Sequence, residues 1–417
     1  MKQNLLKLFN SMTRTLEEFQ PLEDKKVKIY TCGPSVYQLP HIGNYRTFLY
    51  EDVLLRYLEY LGYKVERTLF ITDVEDKAIA QAKKERKTLK ELTEKNTNFF
   101  LIEFRHLGAK MPTYIARSST TVDQAVKIIE ILLQKNYAYR YNSNVYFDPL
   151  KFKGFGKLYR LDVTKWPKEK RRFHKDTYPG NRWNLGDFIL WHSYQEADRE
   201  VYWNTKLGKG RPAWNIQDPA MAARSLGLKV DIYCGGVDNM TRHHDYVIAI
   251  VESITRHMFA HFWLHGEHLF INGKKMSKSR GNIIYPKGLI KCGCHWAHIR
   301  FFLINSYYRK RMNFTHDRFK KACYQLDKLK EMVEMLQTVK ASKKESSPET
   351  KKLILRLKDD FERNMNNDLH SNDAIDSIFN TVSKLFSLSK RGKISKEDSE
   401  RAVAALRHID QVLQFIF

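Results

Sequence analysis

The period of the apolar positions changes several times along the chain, and each change marks an element. Val27 to Cys32 (VKIYTC) is a short apolar run that stops at Gly33-Pro34, the pattern of a strand ending in a loop. From Tyr45 to Tyr60 the residues Phe48, Leu49, Val53, Leu54 and Leu58 recur at helical spacing, and Val65 to Thr72 (VERTLFIT) reads as the next strand. Strand, helix and strand in that order predict a right-handed crossover in a parallel sheet. Ligands of such sheets sit outside the carboxyl ends of the strands, which is where Gly33 to Gly43 falls. From Asp317 the texture becomes helical throughout. Leu353, Leu355 and Leu357, then Ile375, Ile378, Phe379, Val382 and Leu385, and finally Val403, Leu406, Ile409, Val412 and Leu413 predict amphipathic helices that gather into a bundle. The polar stretch Lys340 to Pro348 predicts a hinge between two of them.

A chain of 417 residues is too long for one ordinary core, so about two or three domains are expected. No apolar stretch approaches the length of a membrane span, and the start, MKQNLLKLFNSMTRT, carries no leader-like apolar run or cleavage site. The charge changes the picture more. Against 47 Asp+Glu stand 72 Lys+Arg, a net +25 spread along the chain, which favours a polyanionic partner such as nucleic acid. The five cysteines (Cys32, Cys234, Cys292, Cys294, Cys323) have no framework spacing, which argues for a reducing compartment, the cytoplasm by default.

Two loops concentrate the chemistry. Pro40-His41-Ile42-Gly43-Asn44 puts an imidazole, a glycine and an amide just before the first helix, where helix N-termini hold phosphate. Glycine permits close approach of a flat base or ribose, and His41 and Asn44 can donate to phosphate oxygens as charge builds. Far along the chain, Gly273-Lys274-Lys275-Met276-Ser277-Lys278-Ser279-Arg280-Gly281-Asn282 packs cations and hydroxyls into one loop. Its lysines can neutralise a departing pyrophosphate while Ser277, Ser279 and backbone N–H groups hold oxygens. The cluster Cys292-Gly293-Cys294-His295 lacks a second ligand pair and reads as a structural turn.

The string Lys275-Met276-Ser277-Lys278-Ser279, preceded at long range by His41-Ile42-Gly43-Asn44, resembles the paired signature of class I aminoacyl-tRNA synthetases. Within that class the surroundings resemble cysteinyl-tRNA synthetases: Cys32-Gly33-Pro34-Ser35-Val36-Tyr37, Ile71-Thr72-Asp73, Asp187-Phe188-Ile189-Leu190-Trp191, Arg211-Pro212-Ala213-Trp214, Gly235-Gly236-Val237-Asp238 and His243-His244 follow in the family's order. The resemblance implies a Rossmann-like (HUP-type) parallel-sheet catalytic domain, of class α/β, in two halves (1–115 and 206–315) around an insertion (116–205), followed by an all-α bundle (316–417). It further implies ATP-dependent activation of an amino acid, with Mg²⁺ present, through an adenylate passed to tRNA. His41, Gly43 and Asn44 would hold ATP, Lys275 and Lys278 would stabilise the transition state, and Met276, Ser277 and Ser279 would complete that loop. Asp238 would sit near the ribose, and Cys32, Gly33, Thr72 and Trp214 would face the amino acid. The family lean is towards a monomer.

The departures fall on metal. The family holds Zn²⁺ with two cysteines, a histidine and a glutamate. Here Cys32 and His243 match, but Asp218 stands at the second cysteine position and Val247 at the glutamate. Valine offers no ligand atom. Cys32, Asp218 and His243 form a three-ligand alternative that Cys234 could complete, so zinc stays open. Asn215, Gln217 and Tyr233 also differ from the expected residues, whereas the ATP motifs are spared. This pattern predicts a paralogue whose amino acid is different or differently recognised. Phe417 closes the last bundle helix, so no small anticodon-reading domain is expected. The resemblance therefore leaves a tRNA ligase, a tRNA-independent ligase serving a small amine as in mycothiol synthesis, and a non-catalytic RNA binder, which the intact motifs speak against.

Overall fold

The computed structural model describes residues 5–162, 187–277, 280–339 and 347–417. The predicted hinge segment 340–346 and the loop residues Lys278 and Ser279 lie outside the described residues. The predicted strand is β1 (Lys26–Ser35), the helix α1 (Ile42–Tyr60), and the second strand β2 (Lys64–Thr72). With β3 (Tyr114–Arg117), β4 (Val230–Gly236) and β5 (Ala260–Gly266) they form one parallel sheet in the order β5-β4-β1-β2-β3. The strand order reverses at β1, and the loops after β1 and β4 therefore open onto one crevice.

Alternation along the strands divides the core into two faces. Val27, Ile29, Ile232 and Cys234 pack beneath α1, whereas Tyr30, Cys32 and Tyr233 pack towards α2 (Trp214–Arg224) and α3 (Asp245–Thr255). A register irregularity between Cys32 and Ser35 bends the carboxyl end of β1. Gly33 sits in that bend, and a Cβ there would lie 1.9 Å from Phe70 O. Glycine is required at this position by the neighbouring strand.

The insertion is built on a separate antiparallel sheet whose strands run from Ala138–Tyr141 to Gly208–Pro212. It therefore continues past the expected boundary at 206. Among the described residues four helices, α4 (His316–Gln337), α5 (Pro348–Met365), α6 (Ser371–Lys390) and α7 (Lys396–Leu413), form the C-terminal bundle. It is tied to the sheet domain by buried polar bonds. Arg300, fully buried, donates to Asp52 Oδ2 at 2.7 Å, to Leu107 O and to Leu413 O. A buried guanidinium needs such partners, since an unpaired one is costly to desolvate. Among the described residues no helix is long and apolar enough to cross a membrane.

Candidate active site

His41 is the N-cap of α1. Its backbone N–H donates to Asn44 Oδ1 at 3.0 Å, and the Asn44 N–H donates to His41 Nδ1 at 3.3 Å. This reciprocal cap satisfies two otherwise orphaned donors and fixes the ring. With Nδ1 accepting, the neutral imidazole carries its proton on Nε2. Burial lowers the His41 pKa below its ordinary value. The ring therefore serves as a neutral donor at the positive end of a helix, suited to phosphate oxygen.

The second loop begins as a hairpin, Leu269–Ile271 paired with Lys274–Lys275. Asn272 and Gly273 both take positive φ, 48° and 74°, as an Asn-Gly two-residue turn requires. Beyond it Ser277 N donates to Asn282 Oδ1 at 2.9 Å, and Asn282 Nδ2 donates to Lys275 O at 3.3 Å. Asn282 thus clips the loop shut, a role the sequence reading did not assign. The loop reaches the first motif directly. A Cβ on Gly43 would lie 2.5 Å from Met276 Cε, and Ile42 N donates to Ile284 O at 3.0 Å. The space above Gly43, expected to admit a base or ribose, is filled by Met276.

A cleft of about 460 Å³ opens beside these loops, lined by His41, Asn44, Glu75, Lys77, Arg211 and Asp238 among others. Gln38 Oε1 and Glu75 Oε1, both on its wall, are buried without a hydrogen-bond partner among the described residues. Such acceptors suit a polar ligand with donors of its own. Arg211 is held there by Asp198 Oδ1 at 2.8 Å and Asp76 Oδ1 at 2.5 Å. Asp238 depends on Gly236, where a Cβ would stand 2.6 Å from its Oδ1. Lys275 is exposed, and neither it nor Ser277 lines the cleft.

A second cavity of about 190 Å³ shares Asn44, Trp214 and Asp238 with the first. Its further lining includes Cys32, Gly33, Thr72, Asp218 and His243, so every residue expected to face the amino acid is gathered here. Trp214 stacks on His243 with ring centroids 4.0 Å apart and planes at 4°. His243 is delivered by a single π-helical turn, Met240–His244, immediately before α3. Its Nδ1 lies 3.2 Å from Asn215 Oδ1 and its Nε2 3.0 Å from Asp218 Oδ2.

The expected metal group assembles only in part. Cys234 packs on the opposite face of the sheet, below α1, because adjacent strand residues point to opposite sides. Its neighbour Tyr233 faces Cys32 instead, so Cys234 supplies no replacement thiolate. Val247 is fully buried among apolar side chains. Cys32, His243 and His244 do come within 4.8 Å of one another, with His244 an addition to the expected set. Each imidazole nitrogen of that pair, however, already faces a protein partner. His244 Nε2 is 3.3 Å from Cys32 Sγ, and its Nδ1 is 2.8 Å from His265 Nε2. The residues therefore do not fit the four-ligand zinc site implied by the resemblance.

Parallel sheet, capped helix and closing loop define a nucleotide-dependent activating enzyme of the class I synthetase type. Comparison with known proteins agrees: residues 18–324 match the family model described as tRNA synthetases class I (C) catalytic domain. The cysteine–tRNA ligase of Chlamydia muridarum is 34% identical over 416 residues, covering 97% of this chain and 87% of that protein. The corresponding ligase of Brachyspira hyodysenteriae is 36% identical over 378 residues, covering 90% and 79%. Among solved structures, Mycobacterium tuberculosis methionyl-tRNA synthetase in complex with methionyl-adenylate superposes with a TM-score of 0.67 at 14% identity, covering 94% of this chain and 90% of that one. The chain belongs to the class I (C) tRNA synthetase family of ATP-dependent ligases.

Proposed function

We propose that the chain condenses ATP with a small amino acid held in the inner cavity and passes the resulting aminoacyl adenylate to tRNA. The observation that carries this reading is the contact of Met276 with Gly43, which joins the two distant loops beside adjoining cavities of nucleotide and amino-acid size. The amino-acid carboxylate attacks the α-phosphorus and pyrophosphate leaves. His41 Nε2 and the Asn44 amide donate to phosphate oxygens, and Lys275 and Lys278 neutralise the departing charge, with the Mg²⁺ that accompanies ATP screening the rest. No protein nucleophile is needed, because positioning and charge carry the rate. The Asp238 carboxylate, between the cavities, is suited to a ribose hydroxyl. A net charge of +25 suits a polyanionic acceptor better than a small amine. The reading also takes the protein to act as a cytoplasmic monomer.

ATP–pyrophosphate exchange across the amino acids, with and without total tRNA, tests this. Exchange with acid-precipitable aminoacyl-tRNA is expected. Exchange without tRNA charging would shift the acceptor to a small amine, and no exchange with any amino acid would leave a binder. Lys278→Ala should lower exchange by about 10²-fold or more. Retained activity would mean that the loop does not serve ATP.

A further inference from the structure

We propose that the inner cavity recognises its amino acid without a resident metal, through a hydrogen-bond relay that presents Asp218 to a neutral donor on the substrate side chain. The proposal rests on the activation reading above and concerns how that same site selects its substrate.

The relay is continuous. His243 bridges Asn215 Oδ1 at 3.2 Å and Asp218 Oδ2 at 3.0 Å, and the Tyr233 phenol donates to the same Oδ2 at 2.5 Å. Tyr233 also contacts the Cys32 thiol, whose sulfur lies 3.3 Å from His244 Nε2. His244 then meets His265 at 2.8 Å, and His265 Nδ1 meets Ser11 Oγ at 2.8 Å. Asp218, Tyr233, His243, His244 and His265 are all buried. A tetrahedral zinc ion needs several ligand lone pairs aimed at one point. Here the imidazole nitrogens are spent on fixed partners, and gathering His243 and His244 around an ion would separate His243 from Asp218.

The replacements are also concerted. Asp218 accepts from Tyr233 and pairs with His243, while Asn215 holds the other side of the His243 ring. These are three of the positions that depart from the family pattern, and all three take part in one network. Buried polar groups satisfied in this way specify a single arrangement.

The relay restricts the ligand. Asp218 Oδ2 is taken by Tyr233 and His243, so Oδ1 is the atom left for substrate in a cavity that Asp218 lines. A thiolate would bring a second negative charge against that carboxylate with no metal ion to hold it, an unfavourable pairing in a desolvated site. A neutral hydroxyl or thiol would donate to it, and a hydroxyl is the stronger donor. The structure therefore assigns a small α-amino acid whose side chain ends in a neutral donor, with serine accepted at least as readily as cysteine. Without a soft metal, discrimination between the two is held to about 10²-fold or less, the range of pockets that sort near-isosteres by packing.

The test uses the purified full chain. Elemental analysis should give zinc well below one ion per chain, and exchange should be indifferent to 1,10-phenanthroline. The serine-to-cysteine ratio of kcat/KM should fall between parity and about 10²-fold in favour of serine. Tyr233→Phe should raise KM for the amino acid several-fold and leave KM for ATP unchanged. Asp218→Cys combined with Val247→Glu should gain zinc and turn the preference towards cysteine. One zinc per chain in the unaltered protein, chelator-sensitive exchange, or a preference for cysteine over serine would each overturn the proposal. If no amino acid supports exchange, the activation reading fails, whereas metal content decides the metal-free relay independently of activity.

Discussion

The two adjoining cavities are built in different ways. The outer cleft takes its cap groups from one short contiguous string, His41 to Asn44 on α1, and lies beside a hairpin closed locally by Asn282. Backbone geometry dictates these groups, since a helix N-terminus presents donors in any sequence that caps it. The inner cavity draws Cys32 from β1, Asp218 from α2 and His243 from a π turn, and long-range side-chain bonds hold them in place, among them one to Asp218 from Tyr233 of β4 behind the lining. The difference separates two selective demands. Chemistry shared by a whole class rests on local backbone architecture that tolerates little change. On the proposed reading, substrate choice rests on dispersed side chains that can be exchanged as a set while the fold stays the same.

The sharpest way to break this division is at His41. His41→Ala removes the cap of α1 and, on the proposed reading, a fixed donor to the phosphates, and should lower kcat for exchange by about 10²–10³-fold with the amino-acid KM nearly unchanged. Equal effects on both parameters would mean that the two cavities do not work separately. Trp214 tests the shared wall. Trp214→Ala removes the stacking partner of His243, 4.0 Å away, and should raise the amino-acid KM roughly three- to tenfold, the worth of one aromatic pair. The KM for ATP should move less. If both rise together, Trp214 acts as a common wall and not as a support for the inner relay.

The same contrast explains what the sequence made legible. The strand-helix-strand order and the bundle follow from apolar period. The helix begins at Ile42, three residues before the apolar period starts, because the cap between His41 and Asn44 sets it. Gly33 was expected to face the amino acid, but sequence could not show that the Phe70 carbonyl is what excludes a side chain there. Cys234 looked like a spare thiolate because composition shows ligand type and conceals strand face. Asp218 and His243 do lie together, but sequence could not reveal that Tyr233 and Asn215 hold them, since those bonds join separate elements.

The outer half also carries a titratable support. Tyr45, in the first turn of α1, donates to Glu103 Oε2 at 2.7 Å, and burial raises the Glu103 carboxyl from 4.5 to about 7. A carboxyl raised in the folded state binds its proton more tightly there than in the unfolded chain. Its contribution to stability is therefore full below about pH 4.5 and is lost as pH rises towards 7. Glu103→Gln keeps an acceptor for Tyr45 and removes the charge, so it should stabilise the protein by about 1–2 kcal/mol at pH 8 and by little at pH 4.5. Denaturant unfolding of both proteins across this range measures the difference. A gap that stays constant with pH would show that Glu103 does not titrate there. A gap that opens with pH, at unchanged amino-acid KM, would place this pH sensitivity in the scaffold of the outer cleft alone.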